Sequence, residues 1–444
     1  MASENADPSA IPPTLTSPRA LAFWLAVLCT GLGAGIAATL LTTLLFLVQH
    51  RAWPGPHILD AALAAGPWRH VLLLLGAGLL TGAGQIILRR LASGNSIDIT
   101  EAISHFAGRL PAIRTLGSAT LSVLVVGLGA SLGREGAPKQ AGAVIANALA
   151  DRTALSDERR RLLVACGAGA GMAAAYGVPL GGALFAVEVL RGVLALRLIL
   201  PALLASATSA GVAWLLSMPD EPTYTIPSFT LSGSIVAFAL LAGPLIGLAS
   251  VGFVRLIEFA DQHKPTGPMR LLAPIVALGV LGALSIPFPQ LLGNGKDVAE
   301  LAFTGQVAPF SLLMLVVLRP LSAAMCLGTG VPGGLFTPSL AAGALLGGSL
   351  GLAWSWVSPG VPTGLCAIIG AATLLAATTR GPVSSIILVM ELTGRDRSFI
   401  LPMVLAVVTA TVIARTLDAR SIYDARFSDR EVGELLRARG PRTL

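Results

Sequence analysis

The sequence predicts an all-α polytopic membrane protein, and three properties of the 444-residue chain indicate this fold class. Hydrophobic residues make up 54% of the chain and charged residues only 12%, about half the charged share of an ordinary soluble domain. The mean hydropathy of +0.78 is too high for a water-soluble protein. Long stretches contain no Asp, Glu, Lys or Arg, and a bilayer-spanning helix needs about 20 such apolar residues.

The charge-free stretches define the candidate helical segments in order along the chain. They cover residues 20–50, 71–88, 115–133, 162–187, 198–219, 222–254, 271–295, 301–318, 320–379 and 398–414. The stretch 320–379 is long enough to hold several segments.

Many of the 50 glycines and 29 prolines interrupt these stretches, as at 177–179, 330–334 and 380–382. In lipid every backbone N–H and C=O needs a partner, so a helix can break only where protein or a watery cavity surrounds the break. The sequence therefore predicts many short, tilted and half-spanning helices.

The two ends of the chain differ from its middle in composition. Residues 1–18 are polar and proline-rich, and we expect a disordered cytoplasmic tail rather than a signal peptide. Residues 19–423 form the predicted transmembrane domain. Residues 424–444 carry several arginines, so we expect a short charged tail on the cytoplasmic side.

A first signature of internal duplication lies in two glycine-to-proline motifs. Residues 133–138 begin with glycine and end with proline, and residues 333–338 do the same 200 positions later. The alternative is chance recurrence in a glycine-rich membrane protein.

A second signature joins a proline to an intramembrane acid. Pro179 precedes Glu188 by nine residues across an apolar segment, and Pro382 precedes Glu391 by the same spacing. Two signatures in the same order predict a duplicated unit, with repeats of roughly 19–219 and 220–423. Duplicated units with interrupted helices are typical of secondary transporters, whose substrate binds between the repeats at the midplane.

Three glycine-rich breaks, at 93–96, 133–138 and 333–338, each open an apolar helix. A helix start carries unsatisfied N–H groups and about half a positive charge, so converging starts make an anion site. Glycine lets the backbone approach the ion closely. A full Lys or Arg charge in low dielectric would hold a monovalent anion too tightly for transport. A small anion is the inferred substrate, although each motif alone is also a common packing turn.

Among single residues, Glu135 is the strongest candidate for a functional role. It falls at a helix start inside a membrane segment, where an ionisable group is costly and marks a functional candidate. Helix dipoles favour its carboxylate and desolvation favours the neutral acid, so the group can exchange protons. Such a carboxylate could occupy the anion's own site and leave it on protonation. The alternative is a helix-capping glutamate satisfied by Arg134 or by local N–H groups.

At these residues the chain resembles the CLC family of chloride channels and proton-coupled anion antiporters. The resemblance covers roughly residues 20–423. It rests on Gly133-Arg134-Glu135-Gly136, on Gly334-Leu335-Phe336-Thr337-Pro338, and on the two proline-to-glutamate segments.

The resemblance implies the CLC fold of about 18 helices in two inverted repeats, a homodimer, and one anion pore per subunit. Glu135 is then the external gate and the proton-coupling residue. Tyr423 is the inner-gate tyrosine, for which an aromatic at the membrane interface is the alternative. The implied anion-binding residues are Asn95, Gly133, Gly136, Leu335, Phe336 and Tyr423.

Departures from the family pattern are similar to those of its fluoride-exporting clade. Residues 94–98 read Gly-Asn-Ser-Ile-Asp, whereas chloride members carry Gly-Ser-Gly-Ile-Pro. Ala137 replaces the expected proline after the gate, and Val189 replaces an inner proton-transfer glutamate. An amide such as that of Asn95 offers two donors for a strongly hydrated fluoride where a hydroxyl offers one. Asn95 could instead cap a helix.

Three further charged residues lie within the motifs. Lys139 is one helical turn beyond Glu135, so it either pairs with the gate or faces an aqueous vestibule. Glu188 and Glu391 are expected to make structural pairs with nearby arginines rather than to carry protons.

Composition also argues against several other classes. The four cysteines lie in apolar runs without short spacings and the five histidines are scattered, so we expect neither a disulfide scaffold nor a metal site. The net charge of +7 is spread between apolar runs, which suits the positive-inside rule and not a nucleic-acid footprint. An intramembrane hydrolase would need a serine–histidine pair or paired aspartates at membrane depth.

The leading hypothesis is therefore a homodimeric inner-membrane protein, not an enzyme and without a cofactor, that exchanges fluoride for protons. A chloride channel or chloride/proton antiporter of the same family is the alternative. A non-transporting membrane scaffold would gain nothing from three glycine-rich breaks and a mid-membrane acid.

Overall fold

The computed structural model describes residues 18–91, 98–216, 223–394, 399–418, 420–424 and 427. Within these ranges the chain forms seventeen α-helices, one π-helical turn and one 3₁₀ turn, and the β-type pairing consists of one bridge between Gly133 and Gly334. The prediction of an all-α protein is confirmed. The predicted tails lie outside the described residues, apart from Pro18, Asp424 and Phe427.

The first half of the chain contains nine α-helices. They are α1 (Pro18–Ala52), α2 (Ile58–Ala64), α3 (Pro67–Leu91), α4 (Ile99–His105), α5 (Ala112–Gly127), α6 (Gly136–Arg152), α7 (Asp157–Tyr176), α8 (Pro179–Leu184) and α9 (Leu196–Leu216). The π-helical turn, Phe185–Arg191, continues α8.

The second half contains the remaining eight. They are α10 (Gly233–Gln262), α11 (Met269–Leu284), α12 (Lys296–Phe303), α13 (Pro309–Gly328), α14 (Phe336–Trp354), α15 (Thr363–Thr379), α16 (Pro382–Thr393) and α17 (Ile400–Leu417). The 3₁₀ turn, Pro289–Leu291, precedes α12.

Seven helices in the described ranges are long and apolar enough to cross a membrane, judged by length and composition: α1, α3, α9, α10, α13, α14 and α17. Others are shorter apolar helices, such as α16 with 12 residues. This mixture of full and partial spans agrees with the predicted interruptions at Gly177-Val178-Pro179 and Arg380-Gly381-Pro382, since α8 and α16 each begin at the proline.

The same close glycine contact joins α6 to α7 and α14 to α15. A Cβ atom at Gly142 would lie 2.0 Å from the carbonyl oxygen of Gly167, and one at Gly343 would lie 2.6 Å from that of Gly370. Small residues let helix backbones approach closely in membranes, where packing rather than the hydrophobic effect holds helices together. Both halves thus place a tightly packed helix pair directly after the glycine motif.

Glu188 and Glu391 each bind the start of a helix from the opposite half. The Glu188 carboxylate accepts hydrogen bonds from the backbone N–H groups of Val383, at 3.1 Å, and Ser384, at 2.6 Å, at the start of α16. Glu391 binds the start of α8 in the same way, at 3.0 and 2.6 Å. Among the described residues the salt bridges do not include Glu188 or Glu391, and in place of the expected arginine side chains backbone N–H groups at a helix start bind both carboxylates.

Candidate anion site

The two glycine motifs meet in the buried interior of the protein. Gly133 and Gly334 form an antiparallel bridge in which each N–H donates to the other's carbonyl oxygen at 2.8 Å. The helices α6 and α14 begin two or three residues later, at Gly136 and Phe336. The bridge therefore fixes both helix starts beside each other, as the repeat hypothesis requires.

The fully buried Glu135 side chain occupies the start of α14. Its Oε1 accepts hydrogen bonds from the backbone N–H of Phe336, at 2.7 Å, and of Thr337, at 3.4 Å. Its Oε2 accepts from the Thr337 hydroxyl, at 3.0 Å, and from the Tyr176 hydroxyl, at 3.3 Å. These donors surround one oxygen pair in the way that a helix start binds a small anion.

Glu135 does not cap its own helix. It stands at the N-cap position of α6, yet its side chain makes no capping hydrogen bond there. The Arg134 guanidinium stacks over the ring of Tyr176, with 4.8 Å to the ring centroid, and over that of Phe46, with 5.5 Å. The structure thus favours the reading of Glu135 as an occupant of the other repeat's helix start over the capping alternative.

Three glycines leave room for this carboxylate and its helix starts. A Cβ atom at Gly133 or at Gly334 would lie 2.2 Å from Oε1 of Glu135, and one at Gly136 would lie 3.2 Å from the Gly334 nitrogen. Real Cβ atoms essentially never approach other atoms within 3.0 Å. Any side chain at Gly133 or Gly334 would displace the carboxylate.

A small cavity of about 60 Å³ lies next to the bridge on the Tyr423 side. Its lining includes Gly136, Leu335 and Tyr423, three of the predicted anion-binding residues. The Tyr423 hydroxyl is buried and has no hydrogen-bond partner among the described residues. An unpartnered buried O–H that faces a cavity is suited to donate to a ligand there.

Lys139 lines the same cavity and is buried. Its Nζ lies 5.0 Å from the ring centroid of Phe185 and 5.2 Å from that of Tyr423, within cation–π range. Lys139 thus borders a small buried cavity, and the predicted alternatives of pairing with the gate or facing an aqueous vestibule stay predictions. A full positive charge therefore borders a site for which the sequence predicted partial charges alone.

The other predicted positions are distributed as follows. Phe336 contributes its N–H to Glu135, and Leu335 holds the N-cap position of α14. Asn95 lies outside the described residues. Ala137 is buried in the first turn of α6, and Val189 is buried in the π-helical turn.

Sequence reasoning missed two hydroxyl groups beside the carboxylate, those of Tyr176 and Thr337, whose oxygens lie 2.7 Å apart. Thr337 stands inside the quoted motif, between Phe336 and Pro338, so its hydroxyl was available as a signal. Tyr176 directly precedes the break at Gly177, and a hydroxyl at the end of a broken helix marks a candidate ligand.

Comparisons with known proteins agree with this arrangement. Residues 77–415 match the family described as "Voltage gated chloride channel". A protein of Escherichia coli named voltage-gated ClC-type chloride channel ClcB is 34% identical over 380 residues, which cover 82% of this chain and 88% of that protein.

Two solved structures share the fold. One is a slow cyanobacterial Cl⁻/H⁺ antiporter, with a TM-score of 0.78 and 22% identity, over 96% of this chain and 99% of that one. The other is a CLC-type fluoride/proton antiporter, with a TM-score of 0.74 and 23% identity, over 93% of this chain and 99% of that one. At these identities the likeness shows the fold, and it agrees with the predicted CLC architecture.

Proposed function

Because the chain belongs to the CLC family of voltage-gated chloride channels and transporters, we propose that it carries a halide across the membrane in exchange for protons. The observation that carries this proposal is the Glu135 carboxylate, seated on the backbone donors of Phe336 and Thr337. A carboxylate and a halide compete for the same donors, so only one of them occupies the helix start at a time.

Protonation of Glu135 decides whether its carboxylate or a halide occupies the start of α14. A carboxylate accepts charge-assisted hydrogen bonds, whereas the neutral acid accepts weaker ones. On protonation Glu135 leaves the start of α14, and the Phe336 and Thr337 N–H groups are free to bind a halide from either side. When the acid gives up its proton, the carboxylate returns and displaces the halide, which links the two movements.

The second half of the pathway is the cavity beside Tyr423. We assign Tyr423 as a donor to the halide there, because its buried hydroxyl has no described partner. Gly136 and Leu335 bring backbone groups of both helix starts to the same cavity. These backbone groups and the hydroxyl stabilise the ion through hydrogen bonds that are weak enough for it to leave again, as rapid passage requires.

The halide itself has two candidates. Fluoride has the support of Asn95, Ala137 and Val189, which resemble the fluoride-exporting clade. Chloride has the support of the Escherichia coli relative, whose name denotes a chloride channel and which is 34% identical. The relative matches along most of the chain and the fluoride hypothesis depends on three positions, so we favour chloride and retain fluoride as the alternative.

The test of the coupling role is the variant Glu135→Gln, which keeps the shape of the side chain and removes its proton chemistry. In proteoliposomes we expect halide efflux to continue while halide-driven proton movement falls to background. Glu300→Gln, a carboxylate outside the site that binds the Thr225 N–H, serves as the control. Proton movement that survives in Glu135→Gln would contradict the proposal.

The same preparation decides between the halides. Efflux followed with chloride-selective and fluoride-selective electrodes gives the ratio of the two rates under equal gradients. A rate ratio in favour of chloride is expected, and a strong preference for fluoride would establish the alternative.

The described helices indicate a multi-pass membrane protein, and because the relatives are bacterial we place it in the inner membrane.

A further inference from the structure

Two residues of opposite charge line one cavity. Asp98 stands where chloride members carry proline, and Lys139 follows the gate motif. The two positions lie on different helices, α4 and α6, yet both side chains border the cavity beside Tyr423. Opposite charges brought to one small cavity within the membrane domain call for a common explanation, since each alone is costly there.

The position of Lys139 is set by aromatic rings. Its buried ammonium group lies about equally far from the ring centroids of Phe185 and Tyr423, at 5.0 and 5.2 Å. These two rings contact each other edge to face, with 5.8 Å between centroids. The rings hold the charge beside Tyr423, whose hydroxyl is the donor that we assign to the halide.

The position of Asp98 is set by a helix cap. It is the N-cap residue of α4, and its Oδ1 accepts a hydrogen bond from the Thr100 N–H at 3.0 Å. Glu101 completes a capping box by accepting from the Asp98 N–H. The cap fixes where the carboxylate stands, so a negative charge borders the cavity that an anion must enter.

We propose that Lys139 and Asp98 act as a charge couple that sets the halide affinity of the cavity beside Tyr423, an inference that rests on the proposed halide transport. A carboxylate alone would repel an entering halide, and an ammonium group alone would hold it too tightly for release. Together they leave the cavity near neutral, so that the Tyr423 hydroxyl and the backbone donors govern the binding of the ion. Lys139 and Asp98 thus determine the affinity of the cavity for a halide and not which halide it binds.

The couple predicts effects of opposite sign in a double-mutant cycle. At an effective dielectric constant of about 20, a unit charge about 6 Å from an anion changes its affinity by tenfold or more. Lys139→Met should therefore raise the halide Kd at least about tenfold, and Asp98→Asn, which keeps the helix cap, should lower it by a similar factor and slow turnover. The double variant should return to within about threefold of the wild type.

The measurement is calorimetric titration of the detergent-solubilised full chain with chloride and with fluoride. Turnover is measured on the same variants in proteoliposomes. Lys264→Met and Asp261→Asn are the matched controls, because this ion pair lies at the end of α10, outside the cavity lining. They change charge in the same two ways and should leave both Kd values unchanged.

Three results are distinguishable. An unchanged Kd in folded Lys139→Met, or single effects of the same sign, would overturn the charge couple while leaving halide transport intact. A wild-type protein that neither binds nor moves a halide would instead overturn the proposed function. Effects of opposite sign that cancel in the double variant would support the couple.

A chemical rescue covers the case in which Lys139→Met does not fold. In a Cys29→Ser background, which removes the exposed cysteine, Lys139→Cys is modified with a 2-aminoethyl or a methyl methanethiosulfonate. Only the aminoethyl reagent restores an ammonium group of nearly the original reach, so only it should restore the wild-type Kd. Equal effects of the two reagents would contradict the proposal.

Discussion

Gly133, Gly334 and Glu135 show how tightly single residues define this site. The carboxylate fills the space that a side chain at either glycine would need, at 2.2 Å from the missing Cβ atom. The absence of two methyl groups therefore permits the Glu135 carboxylate to occupy the start of α14, and the conformational freedom of glycine is not needed at either position, since neither has a positive φ.

Gly133→Ala should consequently displace the Glu135 carboxylate from the start of α14. The Cβ atom would meet both carboxylate oxygens of Glu135 and no other atom as closely. Overpacking costs about 1–3 kcal/mol, which corresponds to a roughly 5- to 150-fold lower equilibrium constant for occupancy of the helix start by the carboxylate. We expect faster halide efflux with a lower proton-to-halide ratio, measured by paired halide and proton electrodes on proteoliposomes.

The control for this substitution is Gly211→Ala in α9. A Cβ atom at Gly211 would meet nothing within 4 Å, so helix propensity is the only property that changes. A normal proton-to-halide ratio in Gly133→Ala would show that the carboxylate does not need the space beside this glycine.

For single residues, the sequence predicted those members of the site that lie within a recognisable motif. Glu135 was predicted because an acid is conspicuous in an apolar stretch, and Gly133 because it repeats after 200 positions. Tyr176 was missed because its hydrogen bond to Glu135 spans 41 residues and depends on how two helix ends converge. No local pattern encodes that convergence.

Helices α8 and α16 show the duplication at the level of elements. Each begins at a proline, and each start is bound by a glutamate from the other half, Glu391 for α8 and Glu188 for α16. Proline at the first position and a carboxylate on the next free N–H groups are both favourable at a helix start. The equal spacing predicted the symmetry, but the sequence could not indicate that the acids exchange partners between the halves.

Loss of either carboxylate should therefore destabilise the fold without changing the coupling. Glu391→Ala and Glu188→Ala each leave one partly buried N–H group, of Gly181 or Ser384, and one exposed N–H group without this partner. The loss of the partly buried hydrogen bond should cost about 1–3 kcal/mol. Denaturant titration in mixed micelles should show this loss, while the proton-to-halide ratio of refolded or surviving protein should equal that of the wild type.

Asp157→Ala provides the comparison for these variants. Asp157 pairs with Arg109 and both side chains are 58% exposed, so its loss should cost about 0–1 kcal/mol. A Glu188 variant of normal stability that no longer moves protons would show that this acid belongs to the proton route.

At the scale of the whole molecule, the exposed apolar surface and the lengths of the helices indicate that the chain requires a lipid bilayer around it. Many large apolar side chains are exposed along α1, α3, α10 and α17, as expected for helices that face lipid. The ten charge-free stretches indicated where the long apolar helices lie but not how many helices form, since the described residues contain seventeen. The broken helices did not follow in detail, because the length of each half-span depends on the partner that covers its end.

A homodimer is the assembly that we expect. Helices α8 and α16, with 6 and 12 residues, are too short to span a bilayer, yet Leu180 and Val383 on them are 50% and 42% exposed. A second copy would cover such short helices better than lipid does. Size-exclusion chromatography with multi-angle light scattering should give a protein mass of twice 45.2 kDa, and a single-chain mass at all concentrations would contradict this expectation.

The bridge between Gly133 and Gly334 also has a consequence for synthesis in the cell. Three of the four donors to Glu135 belong to Phe336 and Thr337, which leave the ribosome long after the gate acid has entered the membrane. Until then a nascent first half holds a carboxyl group that must stay hydrated or neutral, and it acquires its partners only when the second half inserts. An N-terminal half expressed by itself would therefore be a poor substrate for stable insertion, and the two halves have to mature as one unit.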